Sequence, residues 1–552
     1  MIMDKKLLIF LLGFFIFLGL WQKLVVERWA KSPAAIHKIE EERKPASPPA
    51  ATPPTQVTPN HVEVQTAPSV ATPEASIRLA VVDTTLYHAE FSNQGGLLTS
   101  FQLKKYKDDF GNPLEMIPES TEMNRLPLSL DLEDSKVTVI ASKGVYTIDH
   151  DRILLTGNQT GALALTFSDG QHSFRKSFQF RGDSYIIEST FEAKDGESNI
   201  PLRVSWSPGL ESLKSLKVTT EAVPSRALVE NGDKVSRFQS KDAEEFKKIG
   251  STIRWAGVET NYFCTIMIPR NQPADAYIRQ VKQGEKKLVH NINVLVAGQQ
   301  PQPLQLSLFV GPKDYRLLKG MGLSLEKAID FGFFSPIAIP LFYGLNWFYK
   351  YTKNYGWAIV LLTILIKILF TPFVQKSFSS MKKMQTMQPE LKLVQDKYAK
   401  MKNDDPRKAS MNTEIMQLHK RYGINPLGGC LPMLMQMPVL FAFYMLLANT
   451  IELRKAPFIW WLQDLSRPDP YWITPILMGV TMLIQQRMTP ATDPMQKNMM
   501  LIMPVMFTFM SFKFASGLVV YWLLSNVLAI AHQYYFQQRQ KKAAAEKALA
   551  TT

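Results

Sequence analysis

The chain has 552 residues, a formal charge of +15 and two cysteines. Its length allows two or three domains, and so few cysteines exclude a disulfide framework. The positive charge invites a nucleic-acid reading, but no zinc-finger spacing, basic heptad helix or aromatic-basic RNA motif accompanies it; this argues against direct sequence-specific nucleic-acid binding and leaves membrane topology as the explanation.

In chain order, Lys5 and Lys6 precede an uninterrupted apolar run from Leu7 to Leu20 that continues toward Val26. Residues 1–28 read as a transmembrane signal anchor, because the run is long for a cleaved signal peptide and Ser32-Pro33-Ala34 places a proline between the small residues of a cleavage site. Residues 29–75 form a Pro-rich tether: nine prolines between Pro33 and Pro73, mixed with Ala, Thr, Ser and Gln, bury too little apolar area to offset ordering entropy.

Residues 76–325 carry short β-rich runs: Leu79–Val82, Gly96–Leu103, Lys136–Ile140, Ile153–Leu155, Leu163–Phe167, Ser184–Phe191, Leu202–Trp206 and Leu304–Val310. Asn-Gly, Asp-Gly and Gly-Gly turn signals separate them, and the pattern predicts a β-sandwich. His88, His150, His172 and His290 lack ligand spacing, and there is no His-Glu-x-x-His, phosphate loop or Gly-x-Ser-x-Gly elbow. The domain reads as a binding or spacer unit, not an enzyme, with no metal and no cofactor.

Five spans follow from hydropathy: Trp357–Val374, Leu431–Ala448, Tyr471–Gln486, Met499–Phe512 and Phe514–Phe536, the last two forming a tight hairpin near Lys513. Between Gln375 and Gly429 there are 11 Lys or Arg against 5 acidic residues, whereas Thr450 to Asp469 has three of each. The basic connector therefore stays inside the cell. Phe331–Tyr349 must then not cross; its Pro336, Pro340, Gly344 and Asn346 suit an interfacial helix on the outer surface, within residues 326–352. Residues 353–536 form a five-helix core with a cytoplasmic helical hairpin at 376–424, and 537–552 a mildly basic cytoplasmic tail. Both termini are then expected in the cytoplasm and the β-sandwich outside the cell membrane.

Lys367 lies mid-span, where a charge costs roughly 2.5 to 3.5 kcal/mol on insertion scales. Snorkelling to the interface would explain it if the helix were shifted outward. Against that, Thr363, Lys367, Thr371 and Gln375 recur every fourth residue and line one helix face. Other spans supply Gln436, Thr474, Thr481, Gln485, Ser511, Ser525 and Asn526, each alone an ordinary packing group, together the lining of a hydrated cavity. The expected contact set is Lys367, Thr363, Thr371, Gln436, Thr481, Ser511, Tyr521 and Trp522. No Asp or Glu lies in the five apolar blocks, which argues against a proton or cation relay.

Nineteen of the 25 methionines fall between Met381 and Met510, and methionine suits surfaces that accept many apolar shapes. In the connector, Met384, Met387, Leu391, Val394, Tyr398 and Met401 follow helical spacing, as do Met411, Ile415, Leu418 and Tyr422, with Asn403–Pro406 as the turn. Pro389 sets the expected start of the regular coil. Met384, Met387, Leu391 and Tyr398 are the expected contact surface of this hairpin.

At Asn425-Pro-Leu-Gly-Gly-Cys-Leu-Pro432, Gln436-Met-Pro438, Glu452-Leu-Arg-Lys-Ala-Pro-Phe458, Asp469-Pro-Tyr471, Asp493-Pro-Met495 and Ser516-Gly-Leu518 the chain resembles the YidC membrane-protein insertase family, Gram-negative type. The resemblance implies a five-helix core whose hydrophilic groove opens to cytoplasm and lipid, a periplasmic β-supersandwich, and insertion and folding of nascent inner-membrane proteins. It implies work alone or beside the Sec translocon and its accessory subunits, with nascent chains received from ribosomes and the signal-recognition-particle receptor. The family's groove arginine falls on Lys367, and the loop position of Glu414 makes it a candidate ion-pair partner. A transporter or channel with a solute-binding lid is the alternative; it predicts repeated halves and broken helices, which the sequence lacks. An anchored envelope-sugar enzyme would need a carboxylate pair in the β domain.

Overall fold

The computed structural model describes residues 77–117, 126–207, 210, 225–232, 234–239, 242, 246–281, 291–399, 408–423, 431–488 and 494–549. The expected anchor and tether, the Asn403–Pro406 turn and most of the Asn425–Pro432 motif lie outside the described residues.

The first part is a sandwich of three sheets. A long sheet of ten strands runs in the order Lys234–Phe238, Arg226–Asn231, Trp255–Glu259, Phe263–Pro269, Leu304–Pro312, Ile186–Asp195, His172–Arg181, Thr160–Ser168 and Thr147–Ile148, with Ser198–Asn199 added on Ile186–Asp195. One five-stranded sheet joins Pro113–Glu115, Leu97–Lys107, Tyr87–Ser92, Leu79–Asp83 and, in parallel, Arg152–Leu154. The other joins Lys247–Gly250, Ala274–Val281, Asn291–Gly298, Leu202–Trp206 and Ser129–Leu132. Two short sheets sharing a core with one long sheet make the supersandwich that the resemblance implies. The strands alternate because one face of each is buried: His172–Arg181 hides His172, Phe174, Lys176, Phe178 and Phe180. Phe91 of the first short sheet meets Phe178 at 5.0 Å and Phe180 at 6.0 Å across the interface, and each fully buried aromatic stabilises by about 2 to 3 kcal/mol.

The turn signals fall where backbone geometry requires glycine. Gly170, Gly196 and Gly232, after Asp169, Asp195 and Asn231, all have positive φ. At Gly95 and Gly96 positive φ aims two carbonyls at Lys176. This lysine is fully buried, and its Nζ donates to Gly95 O at 2.7 Å, Gly96 O at 2.9 Å and Leu128 O at 2.8 Å, with the Tyr146 ring 5.3 Å away. Three carbonyl acceptors offset the desolvation of the ammonium, which burial nevertheless pulls down to about 7.

One expected strand is a helix. Lys136–Ile140 lies in α1 (Ser135–Lys143), because Asp134 caps it by accepting from the Lys136 amide at 2.7 Å and Thr138 bonds back to Asp134 O and Leu132 O. The β-branched run that suggested a strand was outweighed by this capping.

The second part is helical: α2 (Tyr315–Met321), α3 (Ser335–Thr352), α4 (Tyr355–Ala399), α5 (Lys408–Arg421), α6 (Leu431–Asn449), α7 (Ile473–Arg487), α8 (Pro494–Ser511) and α9 (Ser516–Leu549). The five expected spans correspond to α4 and α6 to α9. By length and composition, Tyr355–Gln375 in α4 is apolar enough to cross a membrane, and Gln436–Asn449 and Ile502–Ser511 are shorter apolar stretches. Within α4 the faces separate: Ala358, Ile359, Leu362 and Ile366 are buried, whereas Trp357, Leu361, Leu365, Ile368, Leu369 and Phe373 are exposed. α4 packs on α3 and α9, and α7 on α8 and α9. On α3, Ala338, Leu341, Phe342 and Leu345 pack inward while Tyr343, Trp347 and Tyr351 form an exposed aromatic stripe, the amphipathic make-up of an interfacial helix.

α4 is 45 residues long and continuous through Pro372 and Pro389, so Pro389 does not start the coil. The seam begins before it, at Met384 and Met387, and its packing against α5 offsets the roughly 3 kcal/mol that an interior proline costs. Helix α9 runs on through most of the expected tail, to Leu549.

Between α6 and α7, residues 450–472 form a cap over the starts of α4 and α9. Asn354 Nδ2 donates to Phe458 O at 3.1 Å, the Ser516 amide to Arg467 O at 2.7 Å and Ser516 Oγ to Asp464 O at 3.0 Å. At α7, Asp469 accepts from the Thr474 amide and hydroxyl at 2.8 and 2.9 Å.

Candidate functional site

The polar centre of the bundle joins three helices. Lys367 of α4 is partly buried, and its Nζ donates to Gln436 Oε1 of α6 at 3.2 Å. The same amide donates through Nε2 to Tyr521 Oη at 2.6 Å and Ser525 Oγ at 3.1 Å, both on α9. Tyr521 and Ser525 are four residues apart and so share one face of α9, and both are buried. Phe443 of α6 stacks on the Tyr521 ring at 4.4 Å, fixing the hydroxyl toward Gln436. Thr371 Oγ1 donates to Lys367 O at 2.8 Å, one turn along the same face.

A second polar contact joins α7 and α9. Asn526 Nδ2 donates to Thr481 Oγ1 at 3.4 Å, and the Thr481 hydroxyl donates to Met478 O at 2.8 Å. Gln533 Nε2 donates to Met488 O at 2.8 Å. Sequence reasoning passed over Gln533, although its seven-residue spacing from Asn526 puts both on one side of α9. The seam between α7 and α9 is thus tied by side-chain hydrogen bonds along its length.

The remaining expected residues do other work. Thr363 and Ser511 are fully buried, and their hydroxyls donate to Ile359 O at 2.7 Å and Thr508 O at 2.8 Å on their own helices. They are packing groups, and hydropathy cannot separate a polar residue that faces water from one that back-bonds its own helix. Trp522 meets Phe507 edge-on at 5.1 Å and holds α8 against α9.

Glu414 does not pair with Lys367. Its carboxylate accepts from Lys397 Nζ at 3.1 and 3.2 Å, across the two arms of the hairpin, and this hydrogen bond holds it below the usual carboxylate range. The antiparallel arms bring Lys397 opposite Glu414, and the nearer cation takes the pair. The hairpin also buries Met387, Leu391 and Tyr398, which were expected on its surface, and half-buries Met384. Met387, Leu391 and Leu418 form its core with Met384, Ile415 and Tyr422, and Tyr398 is buried too. Helical spacing marks a seam, and the seam faces the other arm; Leu393 and Met416 are exposed instead.

Among the described residues the central network offers one cation, one amide and two hydroxyls, a set that can attract and hydrogen-bond a polar, acidic peptide. Among the described residues, no group of three His, Cys, Asp or Glu could hold a metal ion.

Comparison with known proteins places these features in context. Residues 79–344 match the family model described as the YidC periplasmic domain, and residues 347–544 match the one described as the 60Kd inner membrane protein. A membrane protein insertase YidC of Geobacter sp. (strain M21) is 39% identical, over 83% of this chain and 85% of its own length. That of Syntrophus aciditrophicus (strain SB) is 38% identical, over 85% of this chain and 89% of its own length. A solved structure, the active YidC insertase with its first transmembrane domain resolved, aligns over 84% of this chain and 95% of its own, with 16% identity and a TM-score of 0.36.

Proposed function

The chain belongs to the YidC family and works as a membrane protein insertase, and from that premise we propose that the network around Lys367 is where a client's polar segment pauses on its way across the bilayer. The observation that carries this reading is the shared hydrogen bonding of Lys367, Gln436, Tyr521 and Ser525 at the junction of α4, α6 and α9. A cation in an apolar span is costly unless it is solvated or partnered. Among the described residues one amide supplies a single bond to it, and an ammonium has two further donors to offer.

Water reaching this site from the cytoplasm gives the client's N-terminal or loop segment a partly hydrated half-way position, which lowers the barrier to crossing. Lys367 attracts acidic residues in that segment, and Gln436, Tyr521, Thr371 and Thr481 exchange hydrogen bonds with it. The client's apolar segment then leaves sideways into lipid, where burial of about 20 residues drives the step. No bond of the client is made or broken, so the protein acts as insertase and chaperone without enzymatic chemistry.

The excess of basic residues in 375–429 supports a cytoplasmic hairpin and an arrangement with both termini inside. In that orientation the hairpin faces ribosomes and the signal-recognition-particle receptor, and the exposed sides of the core helices face lipid and the Sec translocon.

The test is a photocrosslinker at position 367 with ribosome-stalled nascent membrane proteins of graded length. Adducts are expected at lengths that place the polar segment inside the bundle. Crosslinking only from controls at Ile368 and Leu369, each 63% exposed, would contradict the reading.

A further inference from the structure

The periplasmic domain rests on the cap loop through the turn at 107–112. Asp109, its carboxylate almost fully buried, accepts from Arg467 Nη2 at 2.7 and 2.8 Å. Arg454 Nη1 donates to Lys107 O at 3.1 Å, and Lys455 Nζ donates to Asp108 O. Arg454 also lies over the Phe263 ring at 5.4 Å, and Tyr106 meets that ring edge-on at 5.5 Å. The same cap loop is bonded to the starts of α4 and α9, the two helices that carry Lys367, Tyr521 and Ser525.

One carboxylate in this junction, Glu452, has no ion-pair partner among the described residues and only its own backbone amide as a donor. Glu452 sits in a short turn (Ile451–Leu453) whose flanking residues Ile451 and Leu453 are buried. Its Oε2 is enclosed and has no hydrogen-bond partner among the described residues. The titratable and charged groups facing it are Lys105 and Tyr106 from the periplasmic domain, Asp314 and Arg316 at the start of α2, Tyr355 at the start of α4, and Arg454 on its own loop, near Tyr106. An enclosed oxygen without a donor favours the protonated carboxyl, because an ionised one needs water or a paired cation.

We propose that protonation of Glu452 controls how tightly the periplasmic domain docks on the cap loop, so that docking is firm in an acidic periplasm and loosens as the periplasm becomes neutral. The proton sits on Glu452 when the junction is closed. Its loss makes the carboxylate draw in water between Tyr106, Asp314 and the cap, and the 107–112 turn lifts. Burial raises the Glu452 carboxyl from its ordinary 4.5 to about 7 in the docked form. Between those values the docked state binds more protons than the undocked one, so docking weakens as pH rises through that window and levels off above it. The device leaves the groove itself unchanged and tunes how firmly its periplasmic cap is held.

The experiment is amide hydrogen exchange on the full-length protein in lipid nanodiscs between pH 5 and 8, with rates corrected for intrinsic pH dependence, following residues 105–116 and 450–470. Protection of both segments is expected to fall about tenfold or more between pH 5 and 7.5 in the wild type, and to stay level in Glu452→Gln, which mimics the protonated form. Asp314→Asn keeps the α2 cap but removes a like charge, so the wild-type transition should move to lower pH. Level protection across pH in the wild type, or a wild-type slope in Glu452→Gln, overturns the proposal. Should Glu452→Gln fail to fold, an unmoved transition in Asp314→Asn does the same.

Discussion

Lys367 presents a single ammonium to Gln436, and that geometry sets what substitution should do. Lys367→Arg keeps the charge and gains donors, and insertion is expected to stay within about threefold of wild type. Lys367→Glu reverses the attraction, and clients with acidic translocated segments should lose insertion about tenfold more than clients with neutral ones; equal loss across both client classes in a protease-protection assay would contradict this. Gln436→Leu strands the Tyr521 and Ser525 hydroxyls in an apolar interior, at a cost of about 1 to 3 kcal/mol each, and thermal unfolding should register it as a lower midpoint. Hydropathy alone exposed Lys367, because a charge in an apolar run is visible without a structure. Gln436 was legible as a polar position lining the same cavity, but not as the residue that bonds Lys367: it is 69 residues away, and only the packing of α4 on α6 brings the two together. The Glu414 expectation failed for the same reason, since charge complementarity names candidate partners but not which cation the fold places nearest.

At the level of elements, periodicity was informative where burial is one-sided and misleading where it is not. Strands such as Thr160–Ser168 and Ile186–Asp195, each buried on one face, stood out, whereas Arg226–Asn231, Trp255–Glu259 and Phe263–Pro269, buried nearly throughout and without a two-residue alternation, were missed. Lys136–Ile140 became a helix through Asp134, a local cap that outweighs β-propensity. The Lys176 cage illustrates a contact no pattern reveals, because one inward position of an alternating strand holds a lysine. Lys176→Met leaves three carbonyls unpaired between two sheets and is expected to destabilise the β-sandwich by about 3 kcal/mol. Circular dichroism melts of the full-length protein check this, and an unchanged midpoint would show that the cage contributes nothing.

For the whole molecule, orientation rests on charge. If the basic connector is inside and the β-sandwich outside, α3 lies along the outer surface and α4 is the next crossing. A reporter fused near Lys353 is then expected to be active in the periplasm; activity in the cytoplasm would invert the arrangement. The division into a β-rich half and an apolar helical half was legible from the sequence, since runs of mixed polar and apolar residues give way to long apolar blocks from about Phe331 onward. The docking of one half on the other was not, because it depends on isolated residues such as Asp109 and Arg467, 358 positions apart.

The measurement that bears most directly on the insertase account is solvent labelling of a cysteine at position 367, in a chain whose Cys264 and Cys430 are replaced, with membrane-impermeant thiol reagents applied from either side. Rapid labelling from the cytoplasmic side and none from the periplasmic side is the predicted result. A thiol that no aqueous reagent reaches, while a lipid-soluble one does, would mean that position 367 faces lipid and that clients have no hydrated way in.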